Sequence, residues 1–266
     1  MLGRSLAIYS AYFAQFLKAR LSYRADFFAS LAANFVVGAS GMVFIVLLMD
    51  GKTVTNLRGW NREQVLFIYG YSMIAMAIFT TVAINLYSFP DRYIIQGNFD
   101  RVLLRPLNSL CQVLFESFNI EAVGSLAVGA GVIIYSAVKL RLSFGLADWL
   151  WLALSSVSGS LVLLSVFVIV SSLSFHFEDR LGIAAPVYNL VNFSRYPLTI
   201  FHPVLQFILS WVIPFGFVAF YPATHFLGRH DFALFCYLTP VVALISLLVA
   251  AAAWSFGVSR YTSTGS

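Results

Sequence analysis

The densest run of charged and turn-forming residues is Pro90-Asp91-Arg92-Tyr93-Ile94-Ile95-Gln96-Gly97-Asn98-Phe99-Asp100-Arg101-Val102-Leu103-Leu104-Arg105-Pro106-Leu107. Its chemistry is that of contact rather than bond-making. Gly97-Asn98 breaks a preceding helix. Asp100 lies near the start of the next one, where an acid suits the positive end of the helix dipole. Phe99, Val102 and Leu103 recur at i, i+3 and i+4 on one face, with Arg101 and Arg105 on another, and Pro106 stops the helix. A short rigid helix in the most charged loop of an apolar chain suits a docking surface. It equally suits a solvated connector that supplies topology charge.

A second constellation comprises Tyr188, Asn189, Asn192, Arg195 and Tyr196, spaced by threes and fours on one face of an apolar segment. So polar a stripe should face protein or water rather than lipid, lining a substrate path or a subunit interface. Snorkelling of Arg195 to a helix end is the remaining reading. Asn34 and Asn85 are lone polar groups in apolar runs and suit interhelical hydrogen bonds better than substrate contacts. His202 and His225 stand beside prolines, where a structural role outweighs metal or proton transfer, and Glu116 and Glu121 read as boundary residues. Cys111 and Cys236 fit neither a CxxC metal site nor a disulfide framework.

The sequence holds no G-x-x-x-x-G-K-[ST] phosphate cradle, no HExxH, GxSxG or DFG string, no paired intramembrane acids and no evident repeat. An enzyme active site therefore has no support, and no cofactor or metal is expected in the chain.

The elements that must carry these residues follow from composition. Of 266 residues, 60% are hydrophobic and only 10% charged, and the net charge is +5. Soluble domains are about 25% charged, so this chain cannot cover its surface for water. The expected fold is an all-α, multi-pass membrane protein in one transmembrane domain. Spans are expected over 27–49, 65–89, 122–138, 149–175, about 183–200 and 232–257, the last bent at Pro240. Residues 1–26 read as an interfacial amphipathic helix, with Leu2, Leu6, Tyr9, Phe13 and Phe16 on one face. Gly124, Gly129 and Gly131 would allow close helix packing. The region from about 201 to 228, rich in proline, suits a broken, re-entrant hairpin. Six crossings put both termini on one side, and the Lys/Arg bias of the loops places that side in the cytoplasm. The cations are topology signals and headgroup contacts, not a nucleic-acid surface.

The string Gly97-x-Phe99-Asp100-x-x-Leu103-x-Arg105-Pro106-Leu107, placed after a second span, resembles the membrane permeases of ABC-2-type ATP-binding-cassette exporters. The resemblance extends to the order of elements. It implies an N-terminal interfacial helix, six spans, cytosolic termini, a coupling helix at 91–107 and an outer re-entrant pair near 201–228. It further implies a bacterial inner-membrane location, a second permease (an identical copy or a sister chain) and separate ATPase subunits that hold ATP and Mg. The ATPase contacts would be Gly97, Phe99, Asp100, Arg101, Arg105 and Pro106, with Phe99 as the apolar knob. The family's small-Gly-x-x-x-Pro string before the last span is missing here; only Tyr196-Pro197, Ile213-Pro214 and Tyr221-Pro222-Ala223 stand in that region. The alternatives are a stand-alone secondary transporter or channel, or a membrane anchor without a transport path. The substrate is not named by the sequence.

Overall fold

The computed structural model describes Lys18 and residues 22–50, 56–177 and 184–262. The interfacial helix expected over 1–26 lies almost wholly outside them. The chain is helical, without strands among the described residues. Helix α1 runs Arg24–Asp50 and α2 runs Arg62–Ala83. A capping box starts α2: the Asn61 side chain accepts from the Gln64 backbone, and the Gln64 side chain accepts from Asn61. The same stretch continues through a 3-10 turn at Ile84–Leu86 and a π-helical turn at Pro90–Ile95.

The short helices α3 (Phe99–Leu103) and α4 (Ser109–Phe115) follow. Next come α5 (Val123–Lys139), α6 (Leu146–Phe177) and α7 (Ala184–Val191), the last ending in a 3-10 turn at Asn192–Arg195. Then α8 (Pro203–Phe207) passes into a π turn at Ile208–Val212. Helices α9 (Phe220–Phe226), α10 (Ala233–Cys236) and α11 (Thr239–Ser259) complete the order.

Five stretches are long and apolar enough to cross a membrane: Arg24–Asp50, Arg62–Ile95, Ile120–Lys139, Leu146–Phe177 and Thr239–Ser259. A sixth candidate is the pair Pro203–Val212 and Phe215–Phe226, bent by 78° at its break. The pair coincides with the proline-rich region, because each break there removes a backbone donor from the helix ladder.

Two expected spans differ from the structure. The crossing placed at about 183–200 is, among the described residues, only the 8 residues of α7 and the 4 of its 3-10 turn. At about 1.5 and 2.0 Å per residue these described residues cover roughly 20 Å, and residues 178–183, which precede them, lie outside the described set. Tyr196 is forced extended (φ −126°, ψ 156°) by the following Pro197, which ends the helix. The last span starts at Thr239 rather than 232, and Pro240 stands in its first turn, where its missing N–H costs nothing, so it opens the helix instead of bending it.

Helix α6 packs along α11, and α2 along α5. The second contact is backbone-close. A Cβ on Gly129 would lie 2.9 Å from the Gly70 carbonyl oxygen, and one on Gly70 would lie 2.9 Å from that of Gly129. Gly124 makes the same kind of approach to α1 at Leu31, but Gly131 has open space beside it and plays no part in packing.

Candidate functional site

The 91–107 loop is built around one buried ring. Gly97 takes φ +67°, a left-handed turn that glycine adopts without strain. That turn drives Phe99 inward, where it is 0% exposed. Its ring meets Phe175 at the end of α6 (4.9 Å between centroids), Tyr261 beyond α11 (5.1 Å), Phe89 (6.0 Å) and Trp254 of α11 (6.1 Å). Edge-to-face contacts at such separations add to the burial of the rings.

Phe99 is therefore not an exposed apolar knob. The aromatic shell holds it because no polar side chain could occupy that space, and it anchors α3 to two long helices. Asp100, beside it, faces the Tyr261 hydroxyl. Burial first, and the Asp100 carboxylate second, push the Tyr261 phenol up to about 12. Of the three positions expected on one apolar face, Phe99 and Val102 are buried but Leu103 is exposed.

The outward surface carries Ile95, Arg101, Leu103, Leu104, Arg105 and Pro106, with Leu104 85% exposed. Apolar and cationic side chains thus share one small face. Glu116, expected as a mere boundary residue, reaches the loop from α4's end. It accepts from Arg92 Nη2 at 2.8 Å and from the Tyr93 hydroxyl. Arg92, Arg101 and Arg105 surround a small pocket of about 180 Å³ beside it. Asn98 Nδ2 donates to the Arg92 carbonyl (2.8 Å), and Gln112 Nε2 donates to the carbonyls of Val102 (3.1 Å) and Leu107 (3.0 Å). The loop is a braced platform.

The polar residues of the spans separate into three groups. Asn34, Tyr188 and Arg195 line a cleft of about 570 Å³ between α1, α2 and α7, together with Tyr69, Tyr87 and Met73. Asn34 Nδ2 donates within its own helix, to the Ser30 carbonyl (2.9 Å), rather than across helices. Asn85 is buried and lies outside the cleft lining. Its Nδ2 donates to the Val113 carbonyl (2.7 Å), and Ser117 Oγ donates to its Oδ1 (2.6 Å), tying the turn after α2 to α4 and to Ser117 just beyond it. Asn189 and Asn192 are exposed and Tyr196 is half-buried, none of them in the cleft lining. Exposed asparagines on a membrane segment are costly against lipid.

Sequence reasoning misses Tyr69 and Tyr87, since tyrosines in apolar runs read as packing. A further cluster was equally hidden. His225 Nε2 meets Asp148 Oδ1 at 3.0 Å, and the Tyr237 hydroxyl meets His225 Nδ1 at 2.8 Å, joining α6, α9 and the lead-in to α11. His202 caps α8 by accepting from the Val204 amide (3.4 Å). Cys111 and Cys236 are both free thiols.

A family model described as ABC-2 family transporter protein matches residues 35–265. Comparison with curated proteins and with solved structures gave no match. The matched region contains the loop, all of the cleft lining except Asn34, and five of the six span candidates in full, with most of α1. Multi-pass apolar helices and a family match over most of the sequence agree: the chain is an integral membrane permease and belongs to the ABC-2 family of transporter proteins.

Proposed function

We propose that this chain is the permease subunit of an ATP-driven exporter. A separate subunit binds and hydrolyses ATP with Mg, and this chain has no catalytic site. A second permease, identical or a sister chain, completes the path, with both termini and the 91–107 loop on the cytoplasmic side of a bacterial inner membrane. The bent pair 203–226 is then a re-entrant hairpin on the outer side.

The observation that carries this reading is the position of Phe99. A solvated connector has no reason to bury a phenylalanine completely between Phe175 and Trp254. A coupling element does: force applied to Arg101, Leu104 and Arg105 reaches α6 and α11 through a dry aromatic contact. The exposed face combines arginine with apolar side chains, the composition that protein partners favour. The exposed Asn189 and Asn192 suit a second permease or a water-filled path.

Reconstitution tests the proposal. Proteoliposomes holding the permease and its ATPase subunit are expected to export substrate only with hydrolysable ATP. Transport by the permease alone, driven by an ion gradient, would refute it and favour a secondary transporter.

A further inference from the structure

The cleft between α1, α2 and α7 contains two hydrogen-bond donors left without acceptors among the described residues. Arg195 lines it, and no carboxylate among the described residues forms an ion pair with it. Arg195 shares that lining with Tyr69 and Tyr87. The Tyr87 hydroxyl is buried and has no hydrogen-bond partner among the described residues. Tyr69, by contrast, is satisfied, donating to the Gly38 carbonyl at 2.7 Å. An uncompensated guanidinium inside a membrane protein is a costly arrangement that persists where a ligand or partner completes it.

We infer that the cleft binds an amphiphile with one anionic headgroup, a phosphate or carboxylate, seated between Arg195 and Tyr87. Both groups donate, so the group that satisfies them together must accept; a cation or an alcohol cannot do so as well. The lining also carries the neutral polar groups Asn34, Thr80, Asn119 and Ser125, with Val37, Met73, Met76 and Ile84 available to an alkyl chain or ring. Asp91 stands at the loop-side end of the cleft. Its charge disfavours an anion there and directs the headgroup toward Arg195. The opening of about 570 Å³ is the size of a small-molecule site. Calling this amphiphile the substrate rests on the permease reading above; its binding does not.

The test is native mass spectrometry of the full chain in phosphatidylcholine nanodiscs, titrated with monododecyl phosphate, dodecyltrimethylammonium or dodecanol. The wild type is expected to retain the phosphate at least about tenfold better than either of the others, the scale of a charge-assisted hydrogen bond. Arg195→Gln is expected to abolish that preference. Tyr87→Phe, which keeps the ring contact with Tyr188, is expected to weaken it several-fold. Phosphatidylglycerol in the disc separates two sources of the same chemistry. Displacement of the probe assigns the site to a lipid headgroup, and its persistence assigns it to a single-chain amphiphile; both support an anion site. Equal retention of the three amphiphiles, or undiminished preference in Arg195→Gln, would overturn the inference. So would an Arg195→Gln chain that loses its permease partner but not its anion. Loss of ATP-driven export with anion binding intact would count against the exporter reading alone.

Discussion

Phe99 and Phe175 meet edge to face with ring centroids 4.9 Å apart, joining a five-residue helix in the most charged loop to the end of a 32-residue membrane helix. Phe99 is fully buried, and under the proposed coupling role the contact would carry displacement as well as stability. Phe99→Ala removes a fully enclosed ring, a change worth about 3–5 kcal/mol in well-packed cores. The variant is expected to melt earlier in detergent and to hydrolyse ATP without export when assembled with its ATPase. An unchanged melting midpoint would show that the aromatic shell does not hold the loop.

The helix pair α2–α5 depends on Gly70 and Gly129. Gly129→Ala places a methyl 2.9 Å from the Gly70 carbonyl and is expected to lower the thermal midpoint. Gly131→Ala meets open space and is expected to be neutral or stabilising by up to about 1 kcal/mol, since alanine is the better helix former. Equal effects of the two substitutions would contradict the packing described.

Asn85 ties the turn after α2 to Val113 of α4 and to Ser117 just beyond it. Asn85→Leu leaves the Val113 carbonyl and the Ser117 hydroxyl without these partners, a loss of about 1–3 kcal/mol for buried polar groups. The prediction is reduced stability with faster proteolysis in 108–119, read by limited digestion. Digestion kinetics like those of the wild type would remove the tie.

Glu116 and Arg92 form an ion pair whose side chains are 41% and 42% exposed. Such pairs contribute about 0–1 kcal/mol. Glu116→Gln is therefore expected to leave melting nearly unchanged while altering ATPase affinity through the neighbouring arginines. A large fall in stability would show the pair to be a structural strut instead.

Much of this architecture is legible in the residues alone. The spans are read from charge-free runs, because each charge in lipid is costly. The turn at Gly97 is legible because a glycine-asparagine step so commonly ends a helix. The fate of Phe99 was not legible. Helical spacing places it on a face, but Phe175, Trp254 and Tyr261 reach that face from distant parts of the sequence. The same limit hid the cleft that Arg195 and Tyr87 share, and it made Glu116 look like a span boundary. The break in span five was not legible either, because apolar composition continues through Tyr196-Pro197, where the helical backbone does not.

The most direct test of docking at 91–107 is the quantity of ATPase subunit co-purified with the permease in a mild detergent. Arg101→Glu combined with Arg105→Glu changes only exposed side chains, so insertion and melting should stay within about 0.5 kcal/mol of wild type. The account predicts near-stoichiometric ATPase on the wild type and loss of most of it from the double variant. Wild-type levels of bound ATPase on a correctly inserted double variant would contradict it.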